Sequence, residues 1–136
     1  MFRLLVVEDQ VEFYEDYLLR LFGKLLPMEK ISVVHVPTLD AAIVALQEPW
    51  DFILMDYSLG PKTDFLGDPV RDGADLVAFR RAVEESRSMP KAFILGVSSN
   101  QVGNKLMQDR GADNTVLKLA VPQMTTFIKE ALKTSG

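Results

Sequence analysis

The sequence predicts an α/β fold, a doubly wound, five-stranded parallel sheet with five helices on its two faces. Three observations predict it. Short apolar runs alternate with segments of helical period along the whole chain. The runs are almost continuously apolar, which suits strands buried on both faces rather than one. Finally, 136 residues with 48% hydrophobic and 25% charged side chains suit one domain, residues 1–136, with its own core.

The elements follow in order. Residues 2–7 (FRLLVV) form the first expected strand, and 31–36 (ISVVHV) the second. Between them Val11, Leu18, Leu21, Phe22 and Leu25 mark one stripe of a first helix, which should end near Leu26-Pro27. Ala41, Ala42, Val44, Ala45 and Leu46 mark a second helix, entered through Pro37-Thr38. Residues 52–55 (FILM) are the third strand, preceded by Trp50, which is expected to pack. Gly60, Pro61, Gly67 and Pro69 then punctuate a long segment, about 59–72, which is expected to be an irregular loop. Leu76, Phe79 and Val83 define a third helix, and residues 92–97 (AFILGV) a fourth strand. Residues 101–110 make a weak fourth helix anchored by Val102, Leu106 and Met107, in which Gly103 costs about 1 kcal/mol relative to Ala. Residues 115–117 are the fifth strand, and Val121, Met124, Ile128 and Leu132 line the last helix. His35 lies among apolar neighbours without a second histidine and is expected to be packed and neutral.

Composition removes several classes of function. Fifteen basic against 19 acidic residues give a net charge of −4, so no general attraction to nucleic acid or anionic membrane is expected. No cysteine is present, which excludes disulfides, thiol catalysis and Cys-ligated zinc. The opening run reaches two acids too soon for a signal peptide, and no stretch approaches the roughly 18 apolar residues of a membrane span. A cytoplasmic location is expected.

In a doubly wound sheet, ligands bind beyond the carboxyl ends of the strands where the strand order reverses. The residues just after the five runs are Glu8-Asp9, Pro37-Thr38, Asp56, Ser98-Ser99 and Lys118. Asp56 ends an otherwise apolar strand, which is unfavourable unless it meets a metal, a cation or a reaction. Clustered carboxylates suit octahedral Mg²⁺, and a nearby lysine suits transferred phosphoryl oxygens. Blander roles compete: Asp9 with Glu12 fits a capping box, and Ser98-Ser99-Asn100 could cap the fourth helix.

These motifs, LLVVEDQ, PWDFILMD, FILGVSSN and GADNTVLK, in this order on this alternation, resemble the receiver domain of two-component response regulators. The resemblance spans essentially the whole chain and implies a flavodoxin-like (β/α)5 fold. It implies that Asp56 accepts a phosphoryl group from a histidine kinase or histidine phosphotransfer protein. Asp9, Asp56 and the backbone carbonyl of Ser58 would ligate Mg²⁺, with Glu8 acting through metal-bound water. Lys118 would pair with phosphoryl oxygens, Ser98 would be the switch hydroxyl, and small Ser99 would leave room for the donor. No catalysis beyond the domain's own phosphorylation and dephosphorylation is implied. The family commonly dimerises through the fourth helix, fifth strand and fifth helix. With the last helix ending near Lys133-Thr134, output is expected through a downstream protein, unless the chain is part of a longer one.

Three departures bear on that implication. The glycine opening the third helix is Gly73, 17 residues after Asp56, where the family usually has about eight, so roughly nine residues are inserted. Phe65 and Leu66, flanked by Asp64 and Asp68, are expected to dock this insert near the site and regulate it. Leu119 stands where a proline usually follows the lysine, which makes the usual cis peptide doubtful. Thr115 stands where many relatives carry a switch aromatic. A receiver-like interaction module that signals without phosphorylation is the alternative. A haloacid-type phosphatase would need an acid where Ser58 stands, and a flavin phosphate would meet Glu8-Asp9.

Overall fold

The computed structural model describes residues 1–135. Five strands, β1 (Phe2–Val7), β2 (Ile31–Val36), β3 (Phe52–Asp56), β6 (Phe93–Ser98) and β7 (Asn114–Leu117), form one sheet in the order β2-β1-β3-β6-β7. Every pairing in it is parallel. Helices α1 (Val11–Tyr17), α2 (Leu39–Ala45), α3 (Gly73–Ser86), α4 (Gln101–Asp109) and α5 (Val121–Ser135) connect the strands or follow the last. The predicted doubly wound, five-stranded sheet with five helices is therefore the fold.

Side chains alternate across the pleat, so β1 feeds two cores. Leu4 and Val6 join Phe52, Leu54, Leu95 and Val97 beneath Tyr17, Phe22, Met124 and Ile128. Leu5 and Val7 join Ile53, Met55 and Ile94 beneath Leu46, Leu76 and Val77. Trp50 is buried as expected, its indole N–H donating to the Ala45 carbonyl at 2.7 Å.

Several helical faces differ from the sequence expectation. In the first helix Val11 and Leu25 are exposed, and the inward face is Tyr17, Leu21 and Phe22. For Leu25 the physical reason is the π-helical turn at Leu18–Phe22, after which the chain leaves the helix and its period is lost. In α2 the buried stripe is Leu39, Ala42, Ile43 and Leu46, spaced i, i+3, i+4, i+7, which leaves Val44 on the solvent side. In α4 only Met107 of the three expected anchors is buried. Val102 and Leu106 are exposed, and Gly103 and Asn104 face inward with Met107.

The segment expected as an irregular loop contains a hairpin. Strands β4 (Thr63–Phe65) and β5 (Asp68–Val70) pair antiparallel, with Phe65 opposite Asp68. Leu66 and Gly67 make the two-residue connection with φ of 52° and 87°, the positive values that a type I′ turn needs and that match strand twist. Phe65 docks as expected, edge-on to Phe79 with ring centroids 5.1 Å apart. Leu66 does not: it is 89% exposed, because the turn points it away from the body.

Candidate functional site

The strand order reverses between β1 and β3, and their carboxyl ends carry Glu8-Asp9 and Asp56. Asp56 is the last residue of β3 and is buried, and Glu8 is buried beside it at 1% exposure. Ligand-capable oxygens of Glu8, Asp9 and Asp56 all lie within 4.8 Å of one another. From the end of β7, the Lys118 ammonium reaches Asp56 Oδ1 and Glu8 Oε1, each at 3.3 Å. Four predicted residues from three strand ends thus meet at one edge.

Their electrostatics are those of a crowded acid cluster. Burial first, and the Asp56 charge second, push Glu8 up to about 8. Burial also raises Asp56, with Lys118 pulling in the other direction. Among the described residues Asp9 Oδ1 and Asp56 Oδ2 are buried without a hydrogen-bond donor, and Glu8 Oε1 has only its ion pair with Lys118. Oxygen atoms so placed, aimed at one spot and short of donors, fit a hard divalent cation. Gln10, not Asp9, is the N-cap of α1, and no side chain bonds there, so the capping-box role of Asp9 is absent.

The remaining predicted residues divide. Ser98 ends β6, is buried, and its hydroxyl accepts the Asn100 N–H at 3.2 Å. Asn100 caps α4 through the Gly103 N–H, so neither Ser98 nor Ser99 is the helix cap. Ser99 and Ser58 lie exposed beside the acids' strand ends. No described peptide is cis, and Leu119 instead takes φ of 68°, a sparsely populated conformation for a residue with a Cβ.

Two further participants, Phe13 and Tyr57, carried no signal in the sequence, and His35, expected only to pack, joins them. Phe13, in the first turn of α1, places its ring 4.2 Å from the Lys118 ammonium, a cation–π contact. His35 is partly buried, with Nε2 2.6 Å from the Glu8 carbonyl oxygen. A carbonyl only accepts, so that nitrogen carries the proton. The ring also stacks on Tyr14 at 3.9 Å. Tyr57, next to Asp56, lies against Gly103 of α4. Such contacts join residues distant in sequence, and no local pattern announces them.

No family model matches the sequence, and no curated protein matches it. Solved structures do match. A receiver domain protein of Methanospirillum hungatei superposes with a TM-score of 0.72 at 18% identity, covering 98% of this chain and 95% of its own. A Burkholderia pseudomallei response regulator, solved with a phosphorylated aspartic acid, calcium ion and citrate, matches with a TM-score of 0.68 at 21% identity, covering 98% and 75%. A chain from the Saccharomyces cerevisiae co-crystal of the histidine phosphotransfer protein Ypd1 and the Ssk1 receiver domain matches with a TM-score of 0.71 at 18% identity, covering 95% and 87%. With five parallel strands in the order β2-β1-β3-β6-β7 and five helices, this chain has the fold of response regulator receiver domains.

Proposed function

We propose that the chain is a phosphoacceptor receiver domain that takes a phosphoryl group onto Asp56 from a histidine kinase or histidine phosphotransfer protein. The observation that carries the reading is the 3.3 Å approach of Lys118 to Asp56 within a cluster of three carboxylates. The phosphorylated aspartic acid of the Burkholderia neighbour and the phosphotransfer partner in the yeast co-crystal support it.

In this reading one Asp56 oxygen bonds to phosphorus as the donor's bond to phosphorus breaks, its electron pair leaving with the donor. Lys118, already beside Asp56 Oδ1, stays within reach of the phosphoryl oxygens and balances their charge. Asp9, Asp56 and the Ser58 carbonyl would hold Mg²⁺, with Glu8 acting through metal-bound water, and the ion would supply positive charge to offset the carboxylates and the transferred group. Ser98 offers its hydroxyl to the new oxygens, and exposed Ser99 leaves the donor access. The domain turns over no separate substrate, works in the cytoplasm and passes its state to a downstream protein.

The test is intact mass after incubation with a small phosphodonor and Mg²⁺. The unaltered chain should gain one phosphoryl group, and Asp56→Asn should gain none while keeping its fold. Label on the variant would move the site elsewhere. A folded chain that takes no label would leave the phosphorylation-independent interaction module instead.

A further inference from the structure

We propose that Tyr57 is the positioning residue through which a phosphoryl group on Asp56 reaches α3 and α4. The inference rests on the phosphoacceptor reading and concerns how that site is read out.

Tyr57 follows Asp56 directly, and its backbone is fixed on both sides. Its N–H donates to the Val97 carbonyl at 3.0 Å, and its carbonyl accepts the Gly73 N–H at 2.8 Å. Helix α3 begins at Gly73 and sits directly on this backbone. A Cβ at Gly73 would lie 2.1 Å from the Asp56 carbonyl oxygen and 2.9 Å from Tyr57 Cα. Movement of the chain at Asp56–Tyr57 therefore cannot leave the start of α3 in place.

The Tyr57 ring makes the second connection. A Cβ at Gly103 would lie 2.8 Å from ring atoms Cγ and Cδ2 and 2.6 Å from Ser98 Oγ. The ring, the Ser98 hydroxyl and the first turn of α4 thus share one small space, which exists because residue 103 has no side chain. Tyr57 therefore meets α4 through its ring and the start of α3 through its backbone.

Ser98 is the element that phosphorylation would move. Its oxygen accepts the Asn100 N–H, and among the described residues its own O–H is donated to no acceptor. New phosphoryl oxygens on the neighbouring strand end would provide one. As the hydroxyl turns toward them it leaves the space beside Gly103, and the Tyr57 ring bordering that space repacks into it. Two helix N-termini then change together, α4 through Gly103 and α3 through the Tyr57 backbone on which Gly73 sits.

The experiment uses the full chain with a small phosphodonor and Mg²⁺, and follows three readouts: label by intact mass, Tyr57 ring resonances, and amide exchange at the starts of α3 and α4. In the unaltered chain, label should shift the Tyr57 ring resonances and change exchange at both helix starts. Ser98→Ala, compared at equal extent of label however slowly the label forms, should show no ring shift. Tyr57→Leu should take label within about threefold of the unaltered rate but lose the exchange response at α3. Tyr57→Phe, which keeps the ring, should retain the response at α4. A labelled chain whose Tyr57 ring resonances do not shift would overturn the proposal, whether or not Tyr57→Leu folds. So would an undiminished α3 response in labelled Tyr57→Leu. Absence of label on the unaltered chain is a different result, which removes the phosphoacceptor reading and the relay with it.

Discussion

Arg80 and Glu84 show how single residues hold the helices around the site. Both are buried, at 0% and 4% exposure, one helical turn apart on α3. Nε of Arg80 donates to Glu84 Oε2 at 2.9 Å, and its guanidinium also bonds the Leu46 and Glu48 carbonyls at the end of α2. Glu84 accepts the Ala92 N–H at 2.9 Å just before β6, and Arg81 at 2.8 Å. Burial alone would raise the Glu84 carboxyl, yet the Ala92 amide and the two guanidinia outweigh it and hold the carboxyl below its ordinary value. A depressed carboxyl contributes stability above its unfolded pKa, and the contribution disappears as pH falls through the lower folded value. Glu84→Gln should therefore cost about 3–5 kcal/mol near neutrality, since it leaves a buried guanidinium uncompensated. The gap between variant and unaltered chain should narrow as pH falls below about 4. Urea unfolding at several pH values measures both, and a gap constant across pH would show that the charge is not what matters. Neither residue was legible in the sequence, because a charged pair one helical turn apart ordinarily lies on an exposed face. Asp56, Asp9, Glu8 and Lys118 were legible, because a polar residue ending an apolar strand stands out without any tertiary knowledge. Gly103 was read only as a helix weakness; its value lies in the space it leaves to Ser98 and Tyr57.

At the scale of elements, strands were the most readable because the central β1, β3 and β6 are buried on both faces, and the partly buried edge strands β2 and β7 still carry apolar residues. Helical faces were less so. One π-helical turn was enough to carry Leu25, which follows it, off the expected stripe. The hairpin shows a third case. Its glycines and prolines suggested an irregular loop, but Leu66-Gly67 between Phe65 and Asp68 is a hairpin turn whose second residue is the expected glycine. The first is not: Leu66 has φ of 52° with its side chain 89% exposed, so it bears conformational strain with almost no packing in return. Leu66→Asn should therefore raise stability by about 0.5–1 kcal/mol, because Asn tolerates this conformation and nothing buried is lost. The measurement is the denaturation midpoint. A lower midpoint would mean that the exposed leucine makes contacts worth more than the strain. The Phe65 contact with Phe79 would remain, so the hairpin should stay on the body.

The molecule as a whole sets a well-packed sheet against one expensive edge. Apolar residues fill the strands of β1 and β3, and the same strands end in three carboxylates facing one ammonium. Lys118 compensates part of that charge, while Asp9 Oδ1 and Asp56 Oδ2 remain buried without a donor. Unpartnered buried carboxylate oxygens cost free energy, so the metal-free fold carries a local penalty. A ligand that binds only the folded chain stabilises it by about 2.7 kcal/mol at roughly 100 times its dissociation constant. For a domain of this size that corresponds to a rise in Tm on the order of 10 °C. Mg²⁺ near that saturation should produce such a rise, excess chelator should reverse it, and the same ionic strength of a monovalent salt should not reproduce it. Asp9→Asn separates binding from general screening. Removing one negative charge from the cluster should make the metal-free variant at least as stable as the unaltered chain, because repulsion is relieved. The same change removes a hard oxygen ligand, so the Mg²⁺-dependent rise should shrink. Screening predicts the opposite pairing, with the rise tracking ionic strength and indifferent to which ion supplies it. A Tm that rises equally in both chains, or equally with monovalent salt, would therefore mean that the acidic edge is screened rather than occupied.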